Sequence, residues 1–505
     1  MQQRKLNQVR LIILISLFLK LSIHIIATCH SGYHGDELLH IEAGRHLSFG
    51  YMDFPPFIGF VSWIQNLFES DSIFIHHLFN YLNSLIITLL IGLITIKLGG
   101  GTVALLISQS AVIFSPGLAA SQYLFLPTAF EQMFWLLTIY VLIEFSRTRN
   151  YKLLLIISTI AAIGFLNKYS IVFLLAGICI SVLIIDREIL SNKLSWVAVL
   201  IFLVIILPNL VWQLLHQFPI FHHMSELYKT QLDKQSIFTE LFTTVISLNP
   251  LTFVLWIPLL AAPFLKRFKT VLLPLLTLSI SFLLLILSKG KSYYFFPILL
   301  SIIPFGAVYV EHKVQSIRWI GFSYLSLLIA VGILILPFGV PILKIDDFTR
   351  IYNLKPNSDN KIPIVFENYY STKNWNRILN SVKQTQNRLN INERKNCLVW
   401  GRHYSLAGGI NLLGSKLQLP HAFSFHSSFY SWVPDFNKEI TIIAISESNL
   451  EQEYWQQYFE SVEEIDVIDN HFASDKNWYN YRVFLCKKIR YNSDELKRIF
   501  KDQIF

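Results

Sequence analysis

The stretch SGYHGDELLHIEAGRHLSFGYMDFPPFIG, residues 31–59, follows an apolar run at 11–28 and gathers Asp36, Glu37, Glu42 and Asp53 ahead of the rigid pair Pro55 and Pro56. Its surroundings explain where such a loop sits. Hydrophobic residues make up 53% of the 505 and charged residues only 15%. Apolar runs long enough for a bilayer core recur about eleven times before residue 340. The chain therefore reads as a polytopic α-helical membrane protein. The first run is too long, and too poor in small residues at its end, for a cleaved signal, so it counts as a helix.

Orientation follows from the basic residues. Of the 21 Lys and Arg before residue 341, a cytoplasmic N-terminus puts 14 on one side, among them Arg4, Lys5, Arg10, Arg147, Arg149 and Arg267, and six on the other, with Lys20 inside the first span. This positive-inside bias accounts for much of the formal charge of +9 and places the acidic loop outside. No stripe of basic and aromatic residues points to nucleic acid.

At about residue 341 the long apolar runs stop, and 19 of the 33 acidic residues fall in 341–505. The expected organisation is a membrane domain over 1–340 with an outer loop at 29–73, a linker at 341–362 rich in Pro, Asn and Asp, and a soluble domain over 363–505, outside like the loop. In the tail CLVWG (397–401), ITIIAIS (440–446) and YRVFLCKK (481–488) read as strands, and YSLAGGINLLG (404–414) and NLEQEYWQQYFESV (449–462) as helices. A small α/β module results. Cys397 and Cys486 are open to two readings, a disulfide or two buried thiols.

Within the outer loop, DELLHIEAGRHLSFG (36–50) spaces Leu38, Leu39, Ala43 and Leu47 for an amphipathic helix on the membrane surface, with Asp36 at its N-terminal edge. Asp36 reads equally as an N-cap and as a chemical group. Other outward-facing residues offer a complement: Lys168 in GFLNKYS, and Lys289 and Lys291 in SKGKSYYFFP. Snorkelling beside an aromatic belt of Tyr169, Tyr293 and Tyr294 is the bland reading of these lysines. A carboxylate with ammonium groups also suits a phosphate-bearing lipid substrate, because phosphate departure needs positive charge and an acceptor hydroxyl needs a base.

Residues 32–60 resemble the first outer loop of the dolichyl-phosphate-mannose protein mannosyltransferase family and its bacterial relatives, including the lipid A aminoarabinose transferases, which share the GT-C fold. LPTAFEQMFWLLTIY, GFLNKYSIVFLL, LPNLVWQLLHQFPIF and GKSYYFFPILLSIIPFGAV continue the likeness in order, and YSLAGGINLLG is similar to some bacterial members. The resemblance implies an inverting glycosyltransferase of a bacterial inner membrane, moving a monosaccharide from a polyprenyl-phosphate donor to an envelope glycan, lipid or protein. It makes Asp36 the catalytic aspartate, Asp53 the second acid of the loop and Glu131 the substitute for an aspartate that many relatives carry where this chain has Thr128. It also implies Glu37, Arg45, Lys168, Lys291, Tyr293 and Tyr294 as substrate-binding residues, and leaves open a divalent cation, Mg or Mn, at Asp53 or Glu131. No nucleotide is expected, since neither a GxxxxGK[ST] loop nor a Rossmann glycine pattern occurs.

A transporter and a catalytically inactive receptor or scaffold are the rival classes. A transporter should hold its ionisable residues near the bilayer midplane. Here Lys20 and His24 alone lie inside a span, where they either snorkel or pack. His216, His222 and His223 in HQFPIFHH offer no clear zinc ligand set.

Overall fold

The computed structural model describes residues 2–504 apart from 231 and 449, with the side chains of 2–5 outside the description. Arg4 and Lys5 of the orientation count, and Asn449 at the start of the second predicted tail helix, fall there. The chain packs into two compact units, 1–26 with 54–57 and 77–342, and 27–53 with 58–76 and 343–505. Most of the acidic outer loop thus folds with the tail rather than with the spans.

In the first unit, seven described helices are long and apolar enough to cross a membrane, and two bent pairs, Thr102–Ile113 with Pro116–Tyr123 and Ile237–Ser247 with Pro250–Phe264, raise this to as many as nine. Two shorter apolar helices, Lys152–Asn167 and Tyr169–Ile185, occupy two further predicted spans. Small residues let these helices approach: a Cβ on Gly306 would lie 2.1 Å from the Leu255 carbonyl oxygen, the kind of close packing that joins helices in lipid. Lys20 and His24 are fully buried, so they pack rather than snorkel.

The second unit holds a five-stranded sheet in the order β2-β1-β3-β5-β4, with β1 Cys397–Gly401, β2 Ala422–Phe423, β3 Thr441–Glu447, β4 Phe459–Asp469 and β5 Asn480–Ile489. β1 pairs in parallel with β2 and β3, and its nearly continuous apolar run suits a strand covered on both faces. β5 runs antiparallel to β3 and β4. Trp400, Trp455, Phe459 and Phe484 share its core.

Three expectations change. The helix expected over 449–462 is confined to Gln452–Gln456, because Phe459 onward pairs with β5 as an edge strand. Residues 341–362 contain the helix Ile345–Ile351, whose Ile345 and Phe348 join a core with Ile364, Tyr369 and Tyr370; the segment is folded, not a loose linker. Cys397 and Cys486 are buried free thiols. β3 lies between their strands, so two strand spacings of about 4.8 Å each exceed the reach of a disulfide.

Candidate functional site

In the second unit the loop helix runs from Gly35 to Ala43, shorter than the expected 36–50. His34, not Asp36, is its N-cap: His34 accepts from the Asp36 amide, and Glu37 returns the contact by accepting from the His34 amide at 2.7 Å. Such a reciprocal box satisfies two otherwise orphaned N–H groups. Glu37 is 0% exposed, so it serves the helix end rather than a substrate. Leu38, Leu39 and Ala43 are buried within this unit and not laid on a lipid surface. The glycine pair of YSLAGGINLLG explains how. A Cβ on Gly408 would stand 2.9 Å from the Leu38 carbonyl oxygen, and one on Gly409 would stand 1.9 Å from the Trp375 ring. The helix Tyr404–Leu413 is thus wedged between the loop helix and Trp375.

This packing delivers Tyr404 to Asp36. Its hydroxyl donates to Asp36 Oδ1 at 2.5 Å, while the Asp36 side chain stays 46% exposed. Burial and the nearby Asp36 carboxylate hold the Tyr404 phenol well above its usual range, so it stays a proton donor. Glu367 accepts from the Gly35 amide. Burial raises its pKa, with His34 and the amide opposing and the Asp36 and Glu37 charges adding to the rise. For His34, burial works downward, but the charges of Glu367, Asp36 and Glu37 outweigh it and raise the imidazole. His403 is lowered well below its usual value by burial, then by His426 and Arg402. A cavity of about 230 Å³ opens beside Asp36, Glu367 and Tyr404.

Asp53 meets different partners: its two carboxylate oxygens accept from the hydroxyls of Ser427 and Ser428, the second at 2.5 Å. Arg45 pairs with the buried Glu42 at 2.9 Å and supplies that charge's counterion.

In the first unit, three buried amides shape the turn before Glu131. Asn80 donates to the Leu124 carbonyl at 2.6 Å, Asn83 to Ala129 at 2.8 Å and Asn167 to Pro127 at 2.8 Å. One turn into the following helix, Glu131 is 2% exposed and accepts from Lys168 at 2.9 Å and from Ser170. Lys168 also donates to Thr128 at 3.3 Å and stands 5.1 and 4.9 Å from the ring centres of Tyr293 and Tyr294, within cation–π range. The structure therefore gathers Glu131, Lys168, Tyr293 and Tyr294 and adds Thr128 and Ser170. Lys291 immediately precedes the short helix Ser292–Phe295 without a side-chain cap hydrogen bond, and Lys289 pairs with Asp233 at 3.2 Å.

Among the described residues no three His, Cys, Asp or Glu side chains form a group fit to hold a metal ion. Asp53 is engaged by two hydroxyls, and Glu131 by a lysine and a hydroxyl. Sequence reading missed Tyr404, Glu367, His34, Ser427 and Ser428. Only YSLAGGINLLG carried a signal, and it pointed to the glycines.

Residues 53–212 match the family model described as dolichyl-phosphate-mannose-protein mannosyltransferase, a span that includes Glu131 and Lys168 and leaves out Asp36. No curated protein matches the chain by sequence. In fold, the chain is similar to the crystal structure of ArnT from Cupriavidus metallidurans in the apo state, with a TM-score of 0.59, and to ArnT from the same organism bound to undecaprenyl phosphate, with a TM-score of 0.57. Identity is 12% in both, over 95% of this chain and 98% of the other. With its spans and its tail domain, the chain is a membrane protein with the GT-C fold of these ArnT structures, and its residues 53–212 are similar to the dolichyl-phosphate-mannose-protein mannosyltransferase family model.

Proposed function

We propose that the protein transfers a monosaccharide from a polyprenyl-phosphate donor to an acceptor hydroxyl outside the cytoplasm, with inversion at the anomeric carbon. The observation that carries this reading is the half-exposed Asp36 carboxylate, steadied at Oδ1 by Tyr404 and bordering a cavity. As the acceptor oxygen bonds to the anomeric carbon, its proton passes to Asp36 and the bond from that carbon to the phosphate oxygen breaks. Polyprenyl phosphate leaves with the electron pair. Lys168, with Lys291, supplies positive charge to that phosphate, and Tyr293 and Tyr294 flank Lys168. An ArnT of the same fold is known bound to undecaprenyl phosphate, which supports a polyprenyl-phosphate donor.

The test incubates purified protein with radiolabelled polyprenyl-phosphate sugars and isolated envelope fractions. Label should move from one donor into one acceptor class, and no transfer from any donor would sink the reading. The proposed location is a bacterial inner membrane with the N-terminus inside and the tail outside. A C-terminal alkaline phosphatase fusion should be active, and activity of a cytoplasmic reporter at the same point would reverse the topology.

A further inference from the structure

Resting on the reading of Asp36 as the base, we infer that the cavity beside it is the acceptor subsite, and that it takes a terminal sugar of a neutral, hydroxyl-rich glycan while rejecting phosphorylated acceptors. Its lining includes Asp36, Glu367 and Asp475 together with Tyr404, Trp478 and Tyr481. At about 230 Å³ it is smaller than the roughly 300 Å³ at which drug-sized pockets begin, so it fits one sugar unit and not a bulky headgroup. Ionised carboxylates only accept hydrogen bonds. They ask for a ligand rich in donors, which sugar hydroxyls are and a phosphate ester is not. Among the described lining residues there is no Lys or Arg, and the two histidines, His34 and His403, share the cavity with the carboxylates of Asp36, Glu367 and Asp475. A phosphate would therefore meet like charge. Trp478 and the tyrosines add flat apolar surface of the kind that covers the C–H face of a sugar ring.

A peptide hydroxyl is the competing acceptor. Extended peptides bind largely through main-chain hydrogen bonds. Here the amides of Gly35, Asp36 and Ser405 at the cavity already donate to Glu367, His34 and His403. With these three main-chain donors taken, the side chains carry more of the recognition, which favours a glycan.

The test needs no donor. The full chain, purified in detergent, is applied to an array of neutral oligosaccharides, each beside its phosphorylated counterpart, together with serine- and threonine-containing peptides. At least one neutral glycan should bind at least tenfold more tightly than its phosphorylated form. Trp478→Ala should weaken that binding tenfold or more, and Trp478→Phe should keep most of it. Preference for phosphorylated glycans, binding of peptides alone, no binding, or binding indifferent to Trp478 would each overturn the inference. Glycan binding with this profile but without transfer by the native protein from any donor would instead overturn the reading of Asp36 and leave a glycan-binding cavity.

Discussion

Tyr404 donates its hydroxyl to Asp36 at 2.5 Å across 368 positions of sequence, so the tail helix and the acidic loop meet at the residue assigned as base. Asp36→Asn keeps the shape and removes the proton acceptor; turnover should fall by about 100- to 10,000-fold. Because His34 is the helix cap, thermal stability should hardly move. Tyr404→Phe should lower kcat by about tenfold with a smaller change in the donor KM, since a hydrogen bond to a charged group is worth about 1.5–3 kcal/mol and only part of that orients the base. A Tyr404→Phe protein with native kcat would remove Tyr404 from the positioning role.

The spans were legible because a bilayer demands long apolar runs and the chain supplies them. Strands β1, β3 and β5 were legible for a similar reason, their apolar content. β4 was not: ESVEEIDVID is an edge, mostly exposed strand whose pairing with β5 outweighs a charged, helix-like composition. In the site, Glu131 and Lys168 could be suspected as an acid and a base near one outer face. Tyr404 and Glu367 could not, because their roles depend on a packing between segments hundreds of residues apart, and that packing rests on Gly408 and Gly409, which carry no chemistry of their own.

The Lys168 pair yields a prediction that snorkelling alone would not make. Glu131 is 2% exposed and Lys168 19% exposed at 2.9 Å, so Lys168→Gln strands a buried carboxylate, at a cost of about 3 kcal/mol. Glu131→Gln in the same protein should restore most of the thermal stability. Donor use should stay impaired in the double variant if Lys168 serves the phosphate, seen as a raised KM for the polyprenyl-phosphate sugar. Recovery of native donor kinetics in the double variant would make Lys168 a partner of Glu131 and nothing more.

Glu367 and His34 give a pH dependence whose sign is fixed. Both have raised pKa values in the folded protein, so across the window above their ordinary values of 4.5 and 6.5 the folded state binds more protons than the unfolded state. Their contribution is fully present below those values and is lost as pH rises through the raised ones. Glu367→Gln still accepts the Gly35 amide, but it does not titrate and it removes a charge that raises His34. The melting-temperature advantage of the native protein over Glu367→Gln should therefore shrink from pH 5 to pH 8. An advantage that grows over this range would contradict the assignment.

Asp53 is the residue whose role the structure moves furthest from expectation. Its two oxygens are taken by Ser427 and Ser428, which binds Asp53 to tail residues of the same unit. A docking role predicts that Asp53→Ala and the pair Ser427→Ala with Ser428→Ala each destabilise the protein, and that combining them adds little, because the same hydrogen bonds are lost once. With hydrogen bonds to a charged group at about 1.5–3 kcal/mol each, the coupling in that cycle should reach about 2 kcal/mol. Turnover per folded molecule should fall far less in Asp53→Ala than in Asp36→Asn. If Asp53→Ala instead silences transfer while the serine pair leaves it intact, the carboxylate acts on substrate directly, and the hydroxyls only hold it in place.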